Sequence, residues 1–185
     1  MKLFSAILLS LATLGVQAAP RTVDAARSEI SFSVKQMGVA VDGRFRRFEA
    51  QVDFDAARPE TSSAALAVDI ASVDAGSEEA DSTAVERAWL DKAGFPRATF
   101  KSSSVRALGP GKYEARGLLT IKGKPREITV PFSAAEQAGG TTLLSGQFSI
   151  RRTDFGIGGG EWNEGDLVSN DVPVKFKLLL APAKQ

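Results

Sequence analysis

Carboxylate clusters are the features of this sequence whose residue types and spacing come closest to a reactive or metal-binding site. Four carboxylates share one stretch of the chain: Asp74, Glu78, Glu79 and Asp81. Three more follow a glycine run: Glu161, Glu164 and Asp166. The first group lacks the ligand spacing and the terminal glutamate of an EF-hand calcium loop. The second could supply a pair of catalytic carboxylates. For both groups we favour a solvated loop, because charge runs are most often exposed.

Two glycine-rich stretches resemble nucleotide-binding loops without meeting their requirements. Between Gly117 and Gly123 there are five residues, where a phosphate-binding loop has four. Pro125 follows Lys124 at the position where such a loop needs Ser or Thr to bind magnesium. The run 156–160 carries no dinucleotide-binding fingerprint. Neither stretch predicts a nucleotide site.

The absence of histidine and cysteine carries more functional information than any motif present. Histidine is the commonest general base and the commonest metal ligand. Without cysteine, thiol catalysis and thiolate metal sites are excluded. The full chain has 23 basic and 22 acidic side chains, so nucleic acid is not an expected partner. We expect no metal and no cofactor.

The N-terminus has the pattern of a secretory signal peptide. Lys2 precedes a mostly apolar run, 3–16, which ends in the small-residue motif Val16-Gln17-Ala18. The run is shorter than the roughly 20 apolar residues that a transmembrane helix needs. We therefore predict that residues 1–18 are a cleaved signal peptide and that residues 19–185 form one domain outside the cytoplasm.

Period-two alternation of apolar and polar residues recurs along most of the chain and predicts β-strands. In one run, Ile30, Phe32 and Val34 alternate with polar neighbours. Comparable runs occupy residues 51–54, 66–70, 112–121, 128–132, 144–150 and 172–180. Turn-forming pairs such as Asp42-Gly43 separate several of them. Such closely spaced strands predict an antiparallel sandwich or an up-and-down barrel.

One segment departs from the alternating pattern and predicts a short helix near residues 82–93. Val85, Ala88, Trp89 and Ala93 fall at helical spacing. Ser82 or Thr83 would cap its start, and Gly94 followed by Pro96 would end it, as helix boundaries often do. We expect this helix to lie over one end of the barrel.

The strands carry a surplus of apolar side chains, including most of the 11 phenylalanines. A barrel of about eight strands can be packed solid or can hold one small apolar ligand. The residue pattern alone leaves both alternatives open.

Six short segments form a recognisable series along the chain. They are Val23-Asp24 with 28–35, then 37–48, Asp53-Phe54-Asp55, 90–102, 117–123 and 152–157. Taken in this order, they resemble the YceI-like family of periplasmic, lipocalin-like proteins over nearly the whole mature chain. The resemblance implies an all-β fold: an antiparallel, up-and-down, lipocalin-like barrel of about eight strands. It also implies binding, storage or transport of a long apolar lipid, such as a polyisoprenoid or a quinone tail, in the periplasm and without catalysis.

The same resemblance implies which side chains would contact that lipid. The expected lining comes from inward-facing positions in these segments: Phe32, Val34, Met37, Phe45, Phe48, Leu66, Val68, Phe95, Phe100, Leu119, Phe148, Phe155 and Trp162. Three polar residues are expected to meet the head group: Gln36, Arg44 and Arg152. Gln36 stands where many members of the family carry histidine, and it can hydrogen-bond but cannot carry charge.

Three other functions remain alternatives at this stage. A non-enzymatic interaction or structural module would have a solid core and no bound lipid. A lipid-modifying enzyme would use Glu161 or Glu164. An outer-membrane barrel would need apolar residues outside and polar ones inside. Because the strands are short and charged, we favour a protein that does not span the membrane. A homodimer is left open.

Overall fold

A computed structural model describes residues 21–162 and 167–182 of the chain. The predicted signal peptide, residues 1–18, lies outside the described residues, so its cleavage stays a prediction. Among the described residues, no helix is long and apolar enough to cross a membrane.

One curled antiparallel sheet contains all of the strands that the described residues form. The sheet order is β1-β4-β5-β7-β8-β9-β10-β11-β2-β3-β6, so that most neighbours in the sheet are also neighbours along the chain. The strands are β1 Arg21–Thr22, β2 Glu29–Gln36, β3 Val39–Phe45, β4 Phe48–Asp53, β5 Ser63–Asp69, β6 Val73–Asp74, β7 Arg97–Gly109, β8 Lys112–Ile121, β9 Lys124–Glu136, β10 Thr142–Arg151 and β11 Asp171–Leu180.

The segment 39–53 joins the two ends of this sheet. Its first part, β3, pairs with β2, and its second part, β4, pairs with β5. Only Arg46 and Arg47 separate the two parts, and they are held by the backbone oxygen and the hydroxyl of Ser72, at 3.0 Å each. β3 and β4 are therefore two halves of one bent strand that closes the barrel.

The predicted all-β, up-and-down barrel is confirmed. The described residues form eleven strands instead of about eight. The difference arises because β1 and β6 are two-residue pieces and because β3 and β4 are halves of one strand. If β1 and β6 are left out and β3 and β4 are counted as one strand, eight long strands of the described residues surround the interior.

The alternating pattern has the expected physical consequence on each strand. On β8, Tyr113, Ala115 and Ile121 are buried, whereas Lys112 and Arg116 are exposed. Period-two alternation places one set of side chains inside the barrel and the other in water. The last strand, β11, pairs with β2 along Val174–Lys177.

The predicted helix exists but lies earlier in the chain than expected. The helix α1 spans Glu78–Ala84, and the Ser77 side chain caps it by accepting a hydrogen bond from the Ala80 N–H. The prediction for 82–93 was wrong about position, because residues 85–93 form successive tight turns, with Asp91 at φ 51°. The apolar spacing that suggested a helix instead serves to place Trp89 and Leu90 against the core.

Two core clusters occupy opposite ends of the barrel. The terminal end, where β1 and the last residues of β11 lie, is filled by Val52, Phe54, Tyr113, Leu144, Leu178 and Leu180. The loop end, where residues 70–96, 152–162 and 167–170 lie, is filled around Ile121, Phe155 and Ile157. Packed side chains are therefore concentrated toward the two ends of the barrel.

Leu180 provides a test of how strongly the terminal end contributes to stability. Its side chain is 0% exposed, so Leu180→Ala should lower the free energy of unfolding by about 2–5 kcal/mol through lost packing and an added void. Urea unfolding measures this. Leu108→Ala is the matched control, because Leu108 is 51% exposed and its loss should cost less than about 0.5 kcal/mol. Equal effects of the two variants would contradict this description of the core.

Candidate ligand-binding cavity

The middle of the barrel contains a cavity of about 650 Å³ between the two core clusters. Most of its lining is apolar and comes from the inward-facing side of the long strands, with the segment 75–84 covering one side. A cavity of this size falls within the range used by small-molecule and cofactor sites, roughly 300–1,000 Å³.

Nine of the thirteen side chains expected to contact a ligand line this cavity. They are Phe32, Val34, Phe45, Leu66, Val68, Phe100, Leu119, Phe148 and Trp162. The strand register thus points these alternate side chains into the barrel. A slip of one residue would have pointed them outward. Contact of these side chains with a ligand stays a prediction.

Four of the expected side chains lie elsewhere. Met37 is 74% exposed at the β2–β3 turn with φ 50°, and Phe95 is 37% exposed beside Gly123. Phe48 packs against the terminal-end cluster, and Phe155 is 2% exposed within the loop-end cluster. All four flank turns, where alternation no longer determines which way a side chain points.

Small residues of α1 and the loop before it form a part of the lining that sequence reasoning missed. Ala75, Ala80, Thr83 and Ala84 all face the cavity. Their small side chains carry no distinctive signal in the sequence. Their contribution follows only from the way the β6–α1 segment folds over the side of the barrel.

Arg152 is inside the molecule but is not available to a head group. An arginine side chain has five N–H donors, and Arg152 directs all of them to backbone carbonyl oxygens. Nε donates to Ser169 at 3.2 Å, Nη1 donates to Ile157 at 2.9 Å and Gly158 at 2.8 Å, and Nη2 donates to Val168 at 2.9 Å and to Trp162.

The surroundings of Arg152 show that its role is structural. The side chain is 1% exposed, and its guanidinium lies 6.0 Å from the centre of the Trp89 ring, within cation–π range. Burial lowers its pKa from the ordinary value, although an arginine remains charged. The expectation of a head-group contact is corrected here, because the guanidinium instead holds the backbone of Ile157, Gly158, Trp162, Val168 and Ser169 together.

Arg44 lies on the outer face of the barrel and not at the cavity. Its Nε donates to the Asp74 carboxylate at 3.0 Å, and Arg46 pairs with the same carboxylate at 2.9 Å. The hydrogen bonds from Arg46 and Arg44 hold the pKa of Asp74 below its usual value. Both arginines therefore serve an exposed ion-pair network near the barrel's closing bend. The head-group expectation for Arg44 is corrected as well.

Gln36 also lines the cavity, and, unlike Arg152, its amide makes no side-chain hydrogen bond within the described part of the chain. It lies at the end of β2 and forms an isolated bridge with Val168. Its amide can both donate and accept hydrogen bonds. Besides Gln36, the described lining includes two carboxylates, Asp53 and Glu79.

The carboxylate clusters of the sequence have structural explanations where they are described. Asp74 is paired with arginines, and Asp81 accepts a hydrogen bond from the Ala75 N–H within the loop that leads into α1. No group of three or more potential metal ligands occurs among the described residues. Glu164, Asp166 and the side chain of Glu161 lie outside the described part of the chain.

Lys122 is a residue that the sequence analysis did not single out. It lies at the β8–β9 turn with φ 49°, and its Nζ donates to the backbone oxygens of Arg87 at 2.9 Å and Gly156 at 2.8 Å. Partial burial lowers its pKa. Lys122 thus ties the two loop-end segments together.

Comparisons with known proteins agree with this geometry. The model of the YceI-like domain matches residues 22–180. A UPF0312 protein of Vibrio cholerae is 33% identical over 138 residues, covering 71% of this chain and 73% of the relative.

Two solved structures share the fold. The crystal structure of BcnA from Burkholderia cenocepacia is 40% identical, has a TM-score of 0.82, and is matched over 85% of this chain and 98% of its own. A polyisoprenoid binding domain from Saccharophagus degradans is 17% identical with a TM-score of 0.67, covering 89% of this chain and 99% of the domain, and this likeness shows the fold alone.

The barrel closure and the apolar interior define a lipocalin-like antiparallel β-barrel with an internal cavity. Within that class, the match over almost all of the described chain shows that this protein belongs to the YceI-like family.

The structural role of Arg152 can be tested by removing its donors. Arg152→Met keeps an unbranched chain but leaves five carbonyl oxygens without their donor, so the free energy of unfolding should fall by at least about 3 kcal/mol. Urea unfolding measures this change. Arg151→Met is the matched control, because Arg151 is exposed on β10 and should change stability by less than about 0.5 kcal/mol. An Arg152→Met variant as stable as the control would show that these hydrogen bonds are not important.

Proposed function

We propose that this protein binds a long isoprenoid-type lipid, a polyisoprenoid or the tail of a quinone, inside the barrel and stores or transports it in the periplasm. The observation that carries the proposal is the apolar cavity of about 650 Å³ in the interior of the barrel, bordered by the two core clusters. An apolar chain that enters such a cavity leaves water, which contributes about 25 cal/mol for each Å² of apolar surface buried.

The described lining favours a ligand whose polar end is uncharged. Its charged side chains are Asp53, Glu79 and Arg152, and the donors of Arg152 are already used. Arg152 is the only Lys or Arg in the described lining, so no available cation of that lining offsets the repulsion between the two carboxylates and a phosphate. A hydroxyl or a quinone carbonyl could instead hydrogen-bond to Gln36.

The comparisons support the same ligand class. The Saccharophagus degradans domain is described as polyisoprenoid binding and has this fold. Family membership adds to this support, because the match covers the strands that build the cavity.

In this proposal the protein binds the lipid and does not modify it. The chain has no histidine or cysteine to act as base or nucleophile. A solid-core interaction module is disfavoured because the middle of the barrel is hollow.

The proposed location depends on the N-terminal signal. If residues 1–18 direct export and are removed, the protein recovered from the periplasmic fraction should begin at Ala19. N-terminal sequencing and intact mass measurement of each cell fraction check this. Full-length protein confined to the cytosolic fraction would overturn the proposed location.

Two adjacent leucines on β8 allow a matched test of lipid binding. Leu119 lines the cavity, whereas Leu118 is 46% exposed on the outer face. Leu119→Asp places a charge beside the proposed lipid tail, where it would lose its water, so the lipid recovered per protein should fall by at least about tenfold. Leu118→Asp should keep the wild-type ratio. Mass spectrometry of organic-solvent extracts from gently purified protein measures the ratio.

Both variants must first show cooperative thermal unfolding, so that loss of lipid is not loss of fold. Phe148→Asp, at a second cavity position on β10, should reproduce the Leu119→Asp result. Folded Leu119→Asp and Phe148→Asp variants that retain lipid at the wild-type ratio would contradict binding inside the barrel.

A further inference from the structure

Three phenylalanine rings on the cavity wall lie directly over glycines of a neighbouring strand. Phe32 lies over Gly43, Phe100 over Gly117 and Phe176 over Gly146. A Cβ atom on Gly43 would lie 2.7 Å from Cε2 and 2.9 Å from Cε1 of the Phe32 ring. On Gly117 and Gly146, the nearest ring atoms would be 2.7 Å away. The rings can therefore lie flat against the wall only because these positions have no side chain.

Gly43 differs from the other two glycines in what a side chain would meet. At Gly117 and Gly146, a Cβ would also collide with the backbone oxygens of Lys101 and Pro131. These two glycines are thus required for the close approach of strands in a curved sheet. At Gly43, the three nearest atoms all belong to the Phe32 ring, and the backbone is not in the left-handed region. An added methyl group would therefore displace the ring without a direct backbone collision.

A Cβ atom on Gly43 would push the Phe32 ring away from β3. β3 lies behind it, and the Phe45 ring packs beside it with the centroids 5.5 Å apart. On the inner side of the barrel wall, the free space is the cavity that both rings line. Phe32 and Gly43 also border a second pocket of about 400 Å³, but the charged residues Glu29, Arg44 and Lys175 line that pocket and make it less favourable for an apolar ring. A side chain at position 43 would push Phe32 inward and narrow the cavity at this point.

We propose that Gly43, by letting Phe32 lie flat, sets the width of the cavity and makes it fit methyl-branched isoprenoid chains as well as straight alkyl chains. This inference rests on the proposed lipid-binding function and names its selectivity determinant. Methyl branches make an isoprenoid wider than a straight chain of equal carbon number. A narrower cavity should discriminate against the branched chain first, because overpacked interiors resist added volume.

The experiment compares two uncharged probes: the diterpene alcohol geranylgeraniol and the straight-chain primary alcohol of the same carbon number. Dissociation constants are measured by fluorescence displacement for wild type and Gly43→Ala. The substitution should weaken geranylgeraniol binding by about tenfold and straight-chain binding by less than about threefold. Gly109→Ala is the matched control, because nothing lies within 4 Å of a Cβ at Gly109, and both constants should remain at wild-type values.

Two further variants test whether the effect acts through the ring. Phe32→Leu removes the ring without adding a side chain to β3, so it should shift the ratio of the two constants in the opposite direction. The double variant Gly43→Ala/Phe32→Leu should recover geranylgeraniol binding to within about threefold of wild type. Phe32→Leu also keeps the inference testable if Gly43→Ala fails to fold.

The outcomes separate this inference from the function on which it rests. If wild type binds neither probe, the proposed function and this inference both fall. If wild type binds both probes and folded Gly43→Ala keeps the wild-type ratio, lipid binding stands and the role of Gly43 is overturned. An unchanged ratio of the two dissociation constants in Phe32→Leu would also overturn the role of Gly43.

Discussion

Closure of the sheet through one bent strand is the constraint on which the rest of the structure depends. The segment 39–53 pairs with β2 through its first half and with β5 through its second. At the bend, the buried Ser72 hydroxyl accepts from the Arg47 N–H, and Arg47 pairs with Asp69 at 2.9 Å. Without this segment, β2 and β5 would each present an open edge, and the interior would not be enclosed.

Closure alone does not determine whether the interior is solid or hollow. In this barrel the large buried side chains are concentrated at the two ends, around Tyr113 and Leu180 on one side and around Phe155 on the other. Between them, rings such as Phe32 and Phe100 lie against glycines and leave space. The cavity is thus a consequence of where glycines oppose phenylalanines and of the loops that cover the ends. Arg152 and Lys122 hold those loops through backbone carbonyls.

The parts of the site that could be predicted from the sequence are those governed by a local rule. Alternation along a strand determines the inward parity, and Phe32, Val34, Leu66 and Val68 all line the cavity, as this rule predicts. Their contact with a ligand stays a prediction. The rule stops at turns, which is why Met37 and Phe95 were misplaced. Arg152 illustrates a different difficulty, because its carbonyl partners lie 5 to 17 residues away and come together only in the folded loop. The contribution of α1 to the cavity lining had no detectable signal in the sequence, because most of the residues that α1 contributes are small.

Native mass spectrometry of the protein isolated gently from the cells that produce it tests the central claim most directly. We expect a mass excess over the polypeptide that equals one uncharged isoprenoid-type lipid per chain and that disappears when the complex is dissociated. A spectrum showing the polypeptide mass alone, both as isolated and after incubation with geranylgeraniol, would contradict the claim that this cavity is a lipid-binding site.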